Sequence, residues 1–196
     1  NRQVQARTSS RRQARRAAAS ISIALAGSGG SGVMTAGTLL LNAAAKAGLY
    51  GLMVRTSGPQ IRGGEAAALV RLGEGPTDGL ADRFDLLLAI DWQNVNRFVD
   101  EIPLSAASVI VGDPDEGGAP DVYTASGARY APLPFKKMAK AIPGCWTNMV
   151  ALGVAGALAG LPRAALEAAL RDSWKRADEK LAANLAALQA GMDAAG

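Results

Sequence analysis

A chain of 196 residues can bury one sizeable core and little more, and 49% hydrophobic against 19% charged residues, with apolar runs broken by Gly and Pro, excludes wholesale disorder. There is no His and only one Cys, Cys145. This excludes Ser-His-Asp and Cys-His catalysis, imidazole-bound zinc, an internal disulfide and a thiolate-held iron–sulfur cluster on this chain. The net charge of +4 comes from an arm in which Arg2, Arg7, Arg11, Arg12, Arg15 and Arg16 precede Ser20 without an acid among them. The other residues are mildly acidic, so the charge is no argument for nucleic acid and no such partner is expected.

Residues 1–20 read as a solvated, disordered basic arm, with a targeting peptide or a phosphate-binding arm as the rival readings. The chain begins at Asn1 rather than Met, so residues upstream are expected. Residues 21–26 form a short run with β-branched members that stops at Gly27, which predicts a first core strand. Residues 33–47 are rich in Ala and Leu, lack Pro and are followed by Gly48, which predicts a helix with a C-terminal glycine. A second strand is expected over 52–56, then a Gly/Pro-rich loop over 57–64, then a third strand over 66–72.

Residues 85–91 and 108–113 are apolar runs of strand length, each ending in an acid, with a helical stretch expected over 92–101 between them. Runs that are apolar on both faces suit a parallel sheet covered by helices. Residues 121–124 read as an edge strand and 147–158 as a core helix. A last amphipathic helix is expected over 162–196, with Leu166, Leu170, Trp174, Leu181, Leu185 and Leu188 on its apolar side. The expected architecture is therefore a Rossmann-like, doubly wound α/β domain over 21–161, its sheet mostly parallel with helices on both faces, followed by a C-terminal helix. No run reaches the roughly 20 apolar residues of a membrane span, and a soluble, cytoplasmic chain is expected.

Two glycine-rich loops carry the candidate chemistry. Gly27, Ser28, Gly29, Gly30, Ser31 and Gly32 satisfy G-x-G-x-x-G between a predicted strand and a predicted helix. Glycines there permit a tight turn and close backbone approach, and the helix N-terminus attracts phosphate; the plainer reading is helix-to-sheet packing. An NAD site would place an acid about 20 residues on. Arg55 stands there instead, which suits a ribose carrying an extra phosphate, as in NADP or coenzyme A, or else a strand-end Arg in solvent or paired with Glu65. The second loop offers Arg62 as a forked donor for phosphate or carboxylate, with Gly63 and Gly64 allowing close approach. Its plainer reading is an Arg62–Glu65 ion pair across a turn. On a parallel sheet both loops lie at the same carboxyl edge and flank one crevice.

The ordered pair of loops, with Thr35, Gly37, Val70, Arg71, the run 85–91, Asn148, Leu152 and Gly153, resembles the gamma subunit or domain of 2-oxoacid:acceptor (ferredoxin) oxidoreductases over residues 21–161. Ser31 stands where most such domains have Gln, and Ser57 to Gln60 replaces a common Tyr-Gly-Pro-Glu; both departures resemble the form fused ahead of an alpha subunit, of 2-oxoglutarate type. The resemblance implies a multisubunit enzyme that converts a 2-oxoacid to an acyl-coenzyme A. This chain would help bind coenzyme A and would not be catalytic alone. Thiamine diphosphate, magnesium and iron–sulfur clusters would lie on the alpha and beta partners, and electrons would pass to ferredoxin or another acceptor. The site residues it implies are Gly27 to Gly32, Arg62 to Gly64 and Asn148, the last also explicable as a buried turn cap.

Other residues receive structural readings. Asp91 and Asp113 are expected to cap the turns after their strands, Lys136, Lys137 and Lys140 to lie on a solvated face, Cys145 to be a buried small hydrophobe, and Trp92 and Trp146 to anchor packing. Two rival functions stay open: a free-standing NADP-binding reductase, and a non-enzymatic interaction module using the Arg-rich arm and the last helix.

Overall fold

The computed structural model describes residues 20–57, 64–76 and 79–196. The Arg-rich arm, Arg62 and Gly63 lie outside them. The apolar runs become strands β1 (Ser20–Ser28), β2 (Tyr50–Ser57), β3 (Glu65–Gly73), β4 (Leu86–Ala89), β5 (Val109–Gly112) and β6 (Arg129–Pro132). They form one six-stranded sheet in the order β2-β3-β1-β4-β5-β6.

β1, β4, β5 and β6 pair in parallel. β3 runs antiparallel to both β1 and β2, so β2 points the same way as β1 and only β3 is reversed. The α/β class and the largely co-directional sheet match the expectation, while β3 runs against it, joined to β2 as a hairpin. Alternate residues of the buried strands face opposite layers, as a two-residue period demands. Ile23, Leu25, Val70, Leu72, Leu86 and Leu88 meet one core, and Ala24, Ala26, Leu69, Leu87 and Ile110 meet the other.

Helices α1 (Val33–Lys46), α3 (Phe135–Lys140), α4 (Thr147–Leu158), α5 (Arg163–Ser173) and α6 (Glu179–Ala195) belong to the first core. The second face is covered more thinly, by the 3₁₀ turn Val95–Phe98, the one-turn helix α2 (Asp121–Thr124) and the loops around Phe84 and Ile102. The helix expected over 92–101 is thus a single tight turn, entered through Asn94 at φ 58°. The expected edge strand at 121–124 is α2, begun after Pro120 and closed by the Ala125 N–H on the Asp121 carbonyl. The edge strand is β6, which follows it.

The C-terminal segment is two helices and not one. Trp174 leaves helical geometry, and Asp178 starts α6 by accepting the Leu181 N–H at 2.8 Å. A carboxylate at that position satisfies one of the free N–H groups of a first turn. α4 and α6 touch backbone to backbone: a Cβ on Gly153 would lie 2.1 Å from the Leu188 carbonyl oxygen, and one on Gly191 2.1 Å from that of Val150. No helix of the described residues is long and apolar enough to cross a membrane.

Candidate functional site at the carboxyl edge of the sheet

The connection after β1 runs through α1 toward β2, whereas the connection after β4 runs the other way toward β5. Adjacent parallel strands whose connections diverge leave a crevice at their carboxyl ends, the usual ligand position in an open α/β sheet. A cleft of about 580 Å³ occurs there, lined among others by Ser28, Gly30, Ser31, Gly32, Asp91 and Asn148.

The glycine loop builds one wall. Ser28 leaves β1 in an extended conformation, Gly29–Ser31 make a 3₁₀ turn, and Gly32 at φ 81° starts α1. A Cβ on Gly27 would lie 2.7 Å from Ser31 Oγ, which itself donates to the Ser28 carbonyl at 2.6 Å. Gly37, further along α1, passes so close to β3 that a Cβ would meet that of Ala68 at 2.7 Å. Close helix-to-sheet packing is thus made by Gly37, outside the motif, while the motif's own residues shape the turn from β1 into α1.

Two helix N-termini open on this cleft. Gly32 and Thr35 belong to the start of α1, and Trp146, Thr147 and Asn148 to that of α4. The first N–H groups of each helix have no intrahelical acceptor and carry the positive end of the helix dipole. Asn148 joins the two helices by donating from Nδ2 to the Gly32 carbonyl at 3.1 Å. Its Oδ1 is buried without a hydrogen-bond partner, and an unpaired buried acceptor is costly unless a donor arrives. The cleft thus offers donors suited to phosphate and one acceptor suited to a hydroxyl or amide N–H.

Asp91 ties the opposite wall to the loop. Its carboxylate accepts from the Ser28 N–H at 2.9 and 3.1 Å, from Ser28 Oγ at 2.7 Å and from the Gln93 N–H at 3.1 Å. The turn-capping role expected of it is present, and the link to the glycine loop is additional. Asp113 is fully buried and caps two segments, accepting from the Asp115 N–H at 2.9 Å and the Lys136 N–H at 3.0 Å. Lys136 reaches the cleft, but its Nζ is engaged by Glu116, and that hydrogen bond raises its pKa. Cys145 also lines the cleft; burial pushes its thiol pKa up, and Sγ lies 3.3 Å from the Ala139 carbonyl oxygen.

Gly27 and Gly29 frame the cleft from within the loop without lining it, and Gly64 stands at the base of the β2–β3 connection beside Glu65. Glu65 pairs directly with Ser28 across β1 and β3, and Ser57 with Ala66 across β2 and β3, so the described ends of the β2–β3 connection lie at the same edge as the glycine loop. Arg55 is an exposed residue of the outermost strand and is not among those lining the cleft. Among the described residues the partner of Glu65 is Arg97 and not Arg55: its buried carboxylate accepts from Arg97 Nη1 at 2.9 Å. Trp92 does anchor packing, its indole covering Gly112. Trp146 departs from that expectation, being 51% exposed at the cleft mouth. Exposed aromatic surface beside a polar cleft has no counterpart in a local sequence pattern. Among the described residues there is no group of three or more acids or Cys placed to hold a metal.

Comparison with known proteins adds to this geometry. The family described as pyruvate ferredoxin/flavodoxin oxidoreductase matches residues 22–194. The 2-oxoglutarate synthase subunit KorC of Methanothermobacter thermautotrophicus is 31% identical over 179 residues, covering 87% of this chain and 93% of the relative. A solved 2-oxoglutarate:ferredoxin oxidoreductase from Magnetococcus marinus, with 2-oxoglutarate, coenzyme A and succinyl-CoA bound, superposes with a TM-score of 0.78 at 30% identity. The match covers 90% of this chain but 31% of that longer one. The gamma subunit of a keto/oxoacid ferredoxin oxidoreductase from Geobacter sulfurreducens shares the fold, with a TM-score of 0.71 at 24% identity over 89% of this chain and 98% of that one.

Proposed function

The chain belongs to the pyruvate ferredoxin/flavodoxin oxidoreductase family as a gamma-type component of a 2-oxoacid:ferredoxin oxidoreductase, and from that premise we propose that its cleft helps bind coenzyme A for acyl transfer from 2-oxoglutarate. The observation that carries the reading is the convergence of the α1 and α4 N-termini on one cleft at the β1/β4 crevice. Helix N-termini are ready-made sites for phosphate. The unpaired Asn148 Oδ1 supplies an acceptor that a purely anionic ligand would not use but a ribose hydroxyl or pantetheine amide would. A solved relative holding coenzyme A and succinyl-CoA supports the choice of ligand, and its 2-oxoglutarate supports the choice of oxoacid.

In this reading Ser28, Gly30, Ser31, Gly32 and Asn148 face the phosphates, Gly27 and Gly29 shape the loop that carries them, and Arg62, Gly63 and Gly64 of the second loop are assigned to the ligand from their residue types. The chain supplies no redox group. Its lone Cys145 is consistent with thiamine diphosphate, magnesium and iron–sulfur clusters on alpha and beta domains, with ferredoxin or another acceptor receiving the electrons. Arg55 is not among the residues lining the cleft, so it supports neither coenzyme A nor NADP there.

Calorimetric titration with coenzyme A, NADP and NAD tests the proposal. Gly30 is the informative position, because a Cβ there has no neighbour within 4 Å. Gly30→Leu is therefore expected to keep the melting temperature and to weaken coenzyme A binding at least tenfold by filling ligand space. NADP binding without coenzyme A binding would overturn the proposal.

A further inference from the structure

Beyond the polar cleft, a groove of about 360 Å³ continues between α1, α4 and α5. Thr35 and Trp146 line both spaces, so the two form one bent trough. The character of the lining changes along it. The cleft presents backbone N–H groups and Asn148, whereas the groove presents Leu39, Met149, Leu170 and the two indoles of Trp146 and Trp174.

The indoles are arranged rather than merely adjacent. Their ring centroids are 5.3 Å apart at an interplanar angle of 39°, and Trp174 Nε1 donates to Asp178 Oδ1 at 3.2 Å, fixing that ring. Trp146 leans on it with half its surface open. The Trp146 backbone is held as well, its N–H donating to Asn184 Oδ1 at 2.8 Å. A large aromatic held rigidly and left exposed is a surface on which a planar ring stacks with little loss of side-chain freedom. Lys175 also lines the groove and has no ion-pair partner among the described residues. Positive character thus stands in both spaces, with the Trp146 indole shared between them.

We propose that Trp146 is the stacking platform for the purine ring of the nucleotide whose phosphates occupy the cleft, with Lys175 facing a phosphate on its ribose; the inference rests on the coenzyme A reading. A flexible pantetheine arm would need an apolar trough but neither a paired aromatic nor a cation. A purine carrying phosphates uses all three features.

The test titrates the intact protein, assembled as it is expressed, with coenzyme A, ADP and inorganic pyrophosphate. Trp146→Ala is expected to weaken coenzyme A and ADP roughly tenfold, the usual scale for losing one base-on-aromatic stack, and to leave pyrophosphate binding unchanged. Trp146→Phe should restore most of the loss. Unchanged coenzyme A affinity in Trp146→Ala would overturn the platform and leave the coenzyme A reading standing. An equal loss for pyrophosphate would also overturn it, showing that Trp146 only shapes the start of α4. Failure of the unaltered protein to bind coenzyme A would overturn both readings together.

Discussion

Gly30 and Gly32 occupy the same motif two residues apart, yet the structure asks different things of them. Gly32 has φ 81°, a region where a Cβ costs about 1–2 kcal/mol, and a Cβ there would lie 2.3 Å from Asn148 Nδ2. Gly32→Ala is thus expected to lose about 2–3 kcal/mol of stability in denaturant unfolding, because Asn148 must also give up its bond to the Gly32 carbonyl. A melting curve unchanged by the substitution would contradict this account. Cys145 supports a second test at this scale. Its raised pKa keeps the thiolate scarce until the solution is more alkaline than an ordinary thiol requires. Alkylation should therefore be slower than that of a small-molecule thiol at pH 8 and gain speed only as pH rises, and coenzyme A in the cleft should slow it further. Alkylation at pH 8 as fast as that of a small-molecule thiol would refute the first statement, and reactivity unaffected by ligand the second. Asp91 shows where single residues were legible and where they were not. A strand-end acid predicts a turn cap, and the Gln93 N–H confirms one. Its bonds to Ser28 depend on β1 and β4 being neighbours, which spacing along the chain does not encode.

Among the elements, those with a local signature were readable. β1, α1, β3 and α4 follow from apolar runs of the right length bounded by Gly or Pro. The break after α5 also had a signal, since Asp178 ahead of Glu179 is an ordinary helix start, but the Leu spacing across 166–188 masked it. The turn at 121–124 was misread because its Val and Tyr favour strands, whereas Tyr123 is buried with its hydroxyl on the Val95 carbonyl, a contact 28 residues away. Tertiary packing there decides between two conformations of similar local preference. The α4–α6 contact rests on glycines at both sides, Gly153 and Gly191, whose missing Cβ atoms let the two backbones meet. Gly191→Ala should force the helices apart and cost about 1–3 kcal/mol, the range for overpacking a filled core, despite the better helix propensity of Ala. A gain in stability would mean that the contact yields freely. Since Asn184 of α6 holds the Trp146 N–H, loosening α6 should also weaken ligand binding.

At the scale of the whole molecule, the reversed β3 is what brings the flanks of the second glycine loop, Ser57 and Gly64, to the edge that carries the first. A hairpin returns the chain to the edge it has just left, so the connection over 58–63 begins at Ser57 and ends beside Glu65, opposite Ser28. A parallel sheet would put the end of β2 at that same edge, so this position follows from either topology. Glu65, which the sequence offered to Arg55 or Arg62, is fully buried and paired with Arg97 on the face opposite α1. Arg97→Ala is therefore expected to strand a buried carboxylate and destabilise the protein by about 2 kcal/mol, below the range for a wholly buried pair because the Arg97 side chain is 46% exposed. It should leave coenzyme A affinity unchanged. Arg62→Ala should do the reverse, leaving the unfolding midpoint in place and weakening coenzyme A about tenfold or more, as losing a charge-assisted hydrogen bond to phosphate does. Measuring both quantities on both variants separates the ligand loop from the structural pair. If Arg62→Ala destabilises the fold without touching affinity, the second glycine loop belongs to the scaffold, and coenzyme A depends on the α1 and α4 N-termini alone.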